Sequence, residues 1–506
     1  MPDGLLAAAR AEALRPGPFR RSRPLALGMA MAATLLVVLG AFGLLAARPR
    51  PAPSPPVASP VAPAHGLVIA THGDTVDGGE VLLRPADPAT ALPLPGLEPI
   101  AIAQPFETRL SPDGRTLAIV STPPYEVVDG QPVRPDSGVI RLVDLASWTV
   151  SDTPVTGLGF VSDLSWTPDS TALVWLAPTQ TDADLAGRAY QVVRWAIGAP
   201  APEVLVGLPD PAFVPQAARV VVDSQGVPRS TLVVYGRLRD ADGYLAGTPR
   251  VLGIDLDRGR VAADVDLADV GPGDVRTAVV WDLPRQRLFV ATDDTLLTVD
   301  LGDFVVEGHP IEALEAGAST RDRLPVLSGV VSADGDRLFL TGVTQEVTDE
   351  GVSYGPAGLR VIDTHDGRLV EPIDASISQV SLSPAGDQLL VASMGDHGCT
   401  LLDASDVELR LLDPDDLQVR ARIAALEGAV CPSPLEMSIS WDGRFGYLGD
   451  AVRTGAESWN QVRVIAMEDG RVVGQRTFDE QDPLVTLLVL GGRCGGLSGC
   501  QVGGGA

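Results

Sequence analysis

A pattern of alternating apolar and polar residues recurs along this chain at intervals of roughly 50–60 residues, the kind of period that marks a repeat architecture. Each copy has an apolar run, a short turn rich in Pro, Asp and Gly, and a second apolar run. This pattern predicts two antiparallel strands joined by a hairpin turn. The seven copies span residues 109–121, 165–177, 221–236, 279–292, 330–342, 381–393 and 438–450.

A second element follows most of these hairpins and adds two more strands to each repeat. It is an apolar strand that ends in Asp, followed by a polar turn and another short strand. The Asp residues concerned are Asp144, Asp255, Asp300, Asp363 and Asp413. Four antiparallel strands in each repeat are the unit of a β-propeller blade. The sequence therefore predicts an all-β propeller.

The turn residues have a structural explanation. Pro presets φ, Asp can bind nearby main-chain N–H groups, and Gly accepts the positive φ that closes the hairpin. No Asp in these turns is therefore assigned a catalytic role. Trp441-Asp442 lies in such a turn and not at the end of a strand, where WD repeats carry this dipeptide.

The S-P-D-G-x-x-L turn at residues 111–117, followed by an apolar strand that ends in Asp, resembles TolB-like and YVTN-type propeller repeats. The resemblance covers nearly all of residues 66–490. It implies a WD-like propeller fold and says little about function.

The number of blades depends on the two ends of this region. Three apolar segments precede the first hairpin without an inner partner strand, and residues 483–490 form a lone apolar strand near the C-terminus. If this last strand joins the first three, it closes an eighth blade and removes the exposed edges. Eight blades are therefore favoured. Seven would be expected if the first segment were only a closing strand with additional residues.

The N-terminal region predicts a membrane anchor. Residues 25–47 contain no charge, five Arg precede them, and only Arg48 and Arg50 follow closely. Such a segment can span a bilayer, and its charge bias places residues 1–24 in the cytoplasm. A cleaved signal peptide is the alternative. Residues 48–65 form a Pro/Ala-rich linker, residues 66–490 an extracytoplasmic propeller on a single-pass anchor, and residues 491–506 a Gly/Cys-rich tail.

The charged residues limit the kinds of chemistry and the kinds of binding partner that the chain can have. All 38 basic residues are Arg, so phosphate loops of the GK[ST] type and Schiff-base chemistry, both of which need Lys, are excluded. Residues 1–50 carry a net charge of +5, and subtracting it from the total of −27 leaves −32 for the rest. Such acidity disfavours nucleic acid and suits a cationic partner or a metal ion, although solubility alone also explains it.

The four cysteines all follow the predicted anchor. In an oxidising compartment, an even number of cysteines predicts disulfides. The sequence alone allows three pairings of the four; we predict Cys494–Cys500, which can close locally, together with Cys399–Cys431. The alternatives are a zinc site, which lacks CxxC and suitably spaced His, and a reactive Cys399 beside His397.

No catalytic residue, metal site or cofactor is predicted from the sequence. None of the five His has metal-ligand spacing, and no GxSxG motif is present. Residues 239–243, RDADG, resemble only the start of a calcium loop and lack its remaining ligands.

Long connections after the second strand of each repeat predict a binding face, because insertions on one face of a repeat protein often carry function. They include Tyr125, Tyr244, Tyr354 and Trp459 among many carboxylates. We therefore expect a binding or scaffolding module for a protein or cell-envelope ligand, which the acidic charge suits if the ligand is cationic. The alternatives are a lactonase-like or quinoprotein-like enzyme that uses the central channel, and a sensory ectodomain. The long connections are equally explained as tolerated insertions.

Overall fold

All of the residues that the computed structural model describes belong to the part of the chain from Pro60 to Ala506. The predicted cytoplasmic tail, anchor and linker lie outside these residues. Within the described part of the chain, no helix is long and apolar enough to cross a bilayer. The structure describes residues 66–72, 80–103, 105–121, 126–128, 131–133, 138–151, 161–179, 189–222, 230–239, 245, 248–267, 278–292, 295–311, 323–348, 351–356, 358–373, 376–393, 399–400, 404–430, 436–454, 457–478 and 484–489.

The first and last strands of the propeller belong to one sheet. Strands β1 (Leu67–His72), β2 (Glu80–Ala86) and β3 (Ile100–Ala103) lie side by side, and the C-terminal strand, β36 (Leu484–Val489), pairs with β1. The pairing is antiparallel and joins Leu67 to Val489 and Ala70 to Thr486. The predicted closure of an eighth blade by the C-terminal strand is therefore confirmed.

Four four-stranded antiparallel blades follow β3 along the chain. Blade 1 comprises β4 (Pro105–Leu110), β5 (Thr116–Ser121), β8 (Val139–Asp144) and β9 (Thr149–Val150), with a short hairpin, β6 (Glu126–Val128) and β7 (Gln131–Val133), between β5 and β8. Blade 2 comprises β10 (Ser162–Trp166), β11 (Ala172–Pro178), β12 (Tyr190–Ala196) and β13 (Glu203–Gly207). Blade 3 comprises β14 (Phe213–Val222), β15 (Ser230–Leu238), β16 (Pro249–Asp255) and β17 (Arg260–Asp266). Blade 4 comprises β18 (Ala278–Asp282), a 3₁₀ turn (Leu283–Arg285), β19 (Arg287–Ala291), β20 (Thr295–Asp300) and β21 (Val306–Pro310).

Three further blades have longer strands, and blades 5 and 6 are each accompanied by one additional strand. Blade 5 comprises β22 (Arg323–Val331), β23 (Arg337–Thr348), β24 (Gly351–Pro356), β25 (Leu359–Asp363) and β26 (Leu369–Ile373). Blade 6 comprises β27 (Ile377–Leu382), β28 (Leu389–Ser393), β30 (Ala404–Leu412) and β31 (Val419–Val430), and a two-residue strand, β29 (Cys399–Thr400), lies in its connection between β28 and β30. Blade 7 comprises β32 (Glu436–Ile439), β33 (Phe445–Thr454), β34 (Glu457–Ala466) and β35 (Val472–Phe478). Together with the closing blade these make eight.

The apolar core lies between the blades. Eight clusters of buried residues occur in the described part of the chain, and each joins two neighbouring blades. Strand alternation explains this, because successive side chains point to opposite faces of a sheet. In β5, Leu117 and Ile119 face blade 8, whereas Ala118 and Val120 face blade 2. Each blade therefore depends on both of its neighbours for burial.

The repeated hairpin turn is held by its own polar side chains, as the sequence predicts. The Ser111 hydroxyl donates to Asp113 Oδ1 at 2.6 Å and accepts the Thr116 N–H at 2.9 Å. Gly114 takes the left-handed conformation with φ of 71°. The Asp that ends the third strand has a similar role, since Asp144 Oδ1 accepts the Ser147 N–H at 2.8 Å. Hydrogen bonds from the Ser147 main chain and hydroxyl lower the pKa of Asp144.

These two kinds of turn emerge on one face of the ring, which we call the turn face. Neighbouring turns contact one another there. The Asp113 N–H donates to Ser170 Oγ of the next blade at 3.1 Å, and Arg337 Nη1 of blade 5 donates to the Pro414 carbonyl of blade 6 at 2.8 Å. A Cβ added to Gly386 of blade 6 would lie 2.2 Å from the Ala333 Cβ of blade 5. The turns are therefore part of the inter-blade packing.

Replacing Gly386 by Ala tests this packing, and Gly96→Ala is its matched control. Both glycines have positive φ, 75° and 80°, but a Cβ on Gly96 would meet nothing within 4 Å. We expect Gly96→Ala to cost about 1–2 kcal/mol from backbone conformation alone. Gly386→Ala should cost about 1–3 kcal/mol more, because Ala333 must move. Chemical denaturation measures both values, and equal losses would contradict the close packing of the turns.

Removing the closing strand tests whether the ring is one cooperative unit. Deletion of residues 483–506 exposes the edge of β1 and the apolar surface around Tyr447, Val462 and Phe478, which packs against blade 8. We expect this protein to aggregate or fail to fold. Deletion of residues 491–506 keeps β36 and is the control, with a melting temperature close to that of the full-length protein. A soluble variant of the longer deletion with unchanged melting temperature would refute closure by β36.

Candidate functional site

The connections on the face opposite the turn face are much longer in blades 5–7 than a hairpin requires. They follow the second strand of each blade or link the fourth strand to the next blade, so antiparallel pairing brings them out on one face, which we call the loop face. Four of the predicted long connections contain strand: residues 122–137, 343–356, 394–406 and 451–460. β23 and β24 remain paired as far as Thr348 and Gly351, and β33 and β34 as far as Thr454 and Glu457. The pattern of β-branched and polar residues in these segments continues the strands beyond the core.

These extended strands also pair between blades. Tyr354 of β24 in blade 5 pairs with Cys399 of β29 in blade 6, and Ser353 pairs with Thr400. At the next boundary, Ala429 of β31 in blade 6 pairs with Val452 of β33 in blade 7. Main-chain pairing therefore crosses two blade boundaries on the loop face. We call this region the hairpin platform; it comprises residues 343–348, 351–356, 399–400, 404–407, 424–430, 451–454 and 457–460.

Two of the four aromatic residues predicted to bind ligand lie on the hairpin platform. Tyr354 is in β24, opposite Cys399, and Trp459 is in β34, opposite Val452. Tyr125 and Tyr244 lie outside the described residues. The platform thus places Tyr354 beside the boundary of blades 5 and 6, and Trp459 beside that of blades 6 and 7.

Of the four cysteines, only Cys399 is among the described residues. It lies in β29, next to blade 5. Cys431, Cys494 and Cys500 are outside them, so both predicted disulfides remain predictions. Val430, the last residue of β31, pairs with Ala404. The residue that precedes Cys431 therefore lies on the hairpin platform, as Cys399 does.

A second group of polar residues lies around the axis of the ring, where the first strands of successive blades contact one another. Glu107 of β4 is buried, and its Oε1 accepts the Leu164 N–H of blade 2 at 2.9 Å. Arg109 Nε donates to the Leu164 carbonyl at 2.9 Å, and Arg109 Nη2 lies 2.8 Å from Glu107 Oε1. The indole N–H of Trp166 donates to the Arg109 carbonyl at 3.0 Å. Two side chains of blade 1, Glu107 and Arg109, thus bind the main-chain N–H and carbonyl of Leu164 in blade 2.

The same strand of blade 2 reaches on to blade 3. Asp163 is buried and left-handed, with φ of 53°, and its Oδ1 accepts the Ala218 N–H at 3.2 Å. Arg219 Nη1 donates to the Ala218 carbonyl at 2.8 Å. The pairing of β10 with β11 is interrupted between Ser162 and Ser165, so a β-bulge turns Asp163 and Leu164 away from β11. We call Glu107, Arg109, Asp163 and Arg219 the axial cluster.

Burial dominates the electrostatics of the axial cluster. It raises the pKa of Glu107 to about 7, opposed by Arg109, and raises the pKa of Asp163, opposed by Arg219. Burial also lowers the pKa of Arg219 to about 10, and the neighbouring Arg109 acts in the same direction. Perturbed ionisable groups of this kind are more frequent at functional sites but also occur in structural networks.

The axial cluster was difficult to predict from the sequence. Glu107 and Asp163 stand in segments that predict ordinary strands, and their hydrogen-bond partners are main-chain N–H groups, which carry no residue-type signal. The available signal was the acid–Arg pair two residues apart in one strand, Glu107 and Arg109. Among the described residues, no group of three His, Cys, Asp or Glu side chains is arranged to hold a metal ion.

The fold defined by these sheets is an eight-bladed β-propeller. No protein-family model matches the chain. No curated protein sequence matches it either.

The solved structures similar to this chain include the following three. One is from a study of two prolyl endopeptidases, with 16% identity over 80% of this chain and 54% of that one, and a TM-score of 0.38. This chain therefore spans about half the length of that protein. The periplasmic gluconolactonase PpgL of Pseudomonas aeruginosa has 15% identity over 71% and 95% of the two chains, with a TM-score of 0.44. The Cps50 (Swd1) β-propeller domain of Myceliophteria thermophila has 14% identity over 70% and 94%, with a TM-score of 0.37.

Proposed function

We propose that this propeller is a non-enzymatic binding or scaffolding module that takes a protein or cell-envelope ligand on its loop face. We further propose that residues 25–47 anchor it in the cell membrane, with the propeller on the extracytoplasmic side, and that its blades are of the TolB-like or YVTN type. The observation that carries the binding proposal is the hairpin platform, in which strands from three successive blades pair beyond the body of the ring.

Main-chain pairing makes the hairpin platform suitable for recognition. A surface already held in place loses less conformational entropy when a ligand binds, so more of the contact energy appears as affinity. Aromatic residues provide large rigid contact areas and are frequent among the residues that dominate binding energy. Tyr354 is in a strand that pairs across one boundary, and Trp459 is opposite Val452, which pairs across the other.

Charge supports a cationic ligand. The residues of the hairpin platform include Glu346, Asp406, Glu427 and Glu457 but only one basic residue, Arg453. An acidic face attracts a positively charged partner over several ångströms and speeds its association, an effect that salt weakens.

The axial cluster favours the loop face over the channel as the place of binding. Glu107 and Arg109 are engaged with Leu164 of the neighbouring blade, and Asp163 with Ala218. Charged groups committed to the joints between blades have a structural role, so they provide no argument for an enzyme that uses the channel. The strands of the hairpin platform, by contrast, take no part in the β1–β36 pairing that closes the ring.

Aromatic substitution tests the loop face. We expect the variant with Tyr125, Tyr244, Tyr354 and Trp459 changed to Ala to capture less partner from a cell-envelope extract than the wild type. Each hot-spot aromatic typically contributes about 2 kcal/mol or more of binding energy. Capture by the wild type should also fall at high salt. Quantitative mass spectrometry of the captured proteins measures both effects.

Trp441→Ala is the matched control, because Trp441 lies in the blade 7 hairpin turn on the opposite face. It should leave capture unchanged. Melting temperatures of all variants must remain close to the wild type for the comparison to hold. Equal capture by the wild type and the four-fold variant at both salt concentrations would place the site elsewhere.

We also propose that disulfides Cys399–Cys431 and Cys494–Cys500 form in the exported protein. The first would link β29 to the end of β31 and so fix two parts of the hairpin platform. Non-reducing peptide mapping of protein isolated from the cell envelope should recover both linked pairs. Four free thiols would contradict the pairing and the extracytoplasmic location together.

A further inference from the structure

Inner strands present a general difficulty for a propeller, because their edges carry main-chain groups that no neighbouring strand satisfies. In blades 1–3 the axial cluster provides the missing partners. Glu107 and Arg109 act on Leu164 as the carbonyl and N–H of a neighbouring strand would, at 2.9 Å each. Asp163 does the same for the Ala218 N–H. The joint between three blades therefore depends on two buried carboxyl groups.

The charged groups around these carboxyls come from three strands. Among the described residues, the charged groups that act on Glu107 are Arg109 on its own strand, Asp163 on β10 and Arg219 on β14. When all are ionised, two negative charges oppose two positive charges, and Arg109 and Glu107 form an ion pair. Removing a carboxylate from water is costly, and a single arginine repays that cost only in part.

We propose that this joint is proton-dependent, so that blades 1–3 are held more firmly when Glu107 carries a proton and less firmly when it is ionised. The protonated carboxyl can still accept the Leu164 N–H through its carbonyl oxygen, and it no longer requires a buried negative charge. Each proton taken up adds one positive charge to the axial cluster. The propeller would then respond to the pH of an extracytoplasmic compartment through its inner wall.

The pH range over which stability should change follows from the raised pKa of Glu107. Burial raises its pKa from 4.5 to about 7 in the folded protein. Below about pH 4.5 both the folded and unfolded states hold the proton, and this group carries no penalty. As the pH rises towards 7 the unfolded state loses the proton first, so stability falls, and above 7 the penalty is complete. The raised pKa of Asp163 acts in the same direction, whereas Arg219, at about 10, stays charged throughout.

Thermal unfolding of the full-length protein tests the proposal, with Glu107→Gln as the mimic of the protonated form. At about pH 4, where both states hold the proton, the variant and the wild type should melt at nearly the same temperature, and at about pH 8 the variant should melt higher. Glu203→Gln is the control, since Glu203 is an exposed partner of Arg194. Its difference from the wild type should be small and the same at both pH values. If the Glu107→Gln difference is likewise independent of pH, the proposal is wrong.

An infrared titration of the wild type keeps the test valid even if Glu107→Gln does not fold. A protonated carboxyl has a stretching band distinct from that of carboxylates. We expect at least one such band at about pH 6, where ordinary Asp and Glu are ionised, and its loss by about pH 8. Complete ionisation of all carboxyl groups at about pH 6 would overturn the proposal.

Discussion

The pairing of β36 with β1 is the interaction on which the rest of this structure depends. Each blade buries both faces of its sheet against neighbours, so a ring with one open boundary would expose two apolar faces at once. β36 is the inner strand of blade 8 and supplies Leu487 to the cluster shared with Tyr447 and Phe478 of blade 7. Residues more than 400 positions apart must therefore meet before any blade is fully buried. Closure of this kind couples the stability of the whole ring to one short strand.

Around the closed ring, different sectors are joined by different means. On the turn face, main-chain groups of one turn bind side chains of the next, as Asp113 does with Ser170. Around the axis of blades 1–3, buried charged side chains satisfy strand edges. On the loop face of blades 5–7, the strands themselves pair across the boundaries. The hairpin platform lies apart from the inter-blade core of the ring. In such an arrangement, residues on the platform can change without loss of the fold.

Much of the fold could be predicted from the sequence because its signals are local. Residues 111–117 specify their own turn through Ser111, Asp113 and Gly114, and the three unpartnered N-terminal strands indicated how the C-terminal strand is used. The extension of β23 and β24 was less predictable, because a polar, β-branched segment such as residues 343–348 suits a loop and an exposed strand equally. The axial cluster was not predictable, since Asp163 owes its position to a bulge and binds the main chain of Ala218, 55 residues away.

Hydrogen–deuterium exchange of the full-length protein tests ring closure most directly. Peptides that cover β36 and β1 should exchange as slowly as those from the centre of blade 4, on the opposite side of the ring. All of them should respond together to low concentrations of denaturant, because the ring opens only by global unfolding. Rapid exchange of β36 and the adjoining edge of β1, with the other blades still protected, would contradict the account.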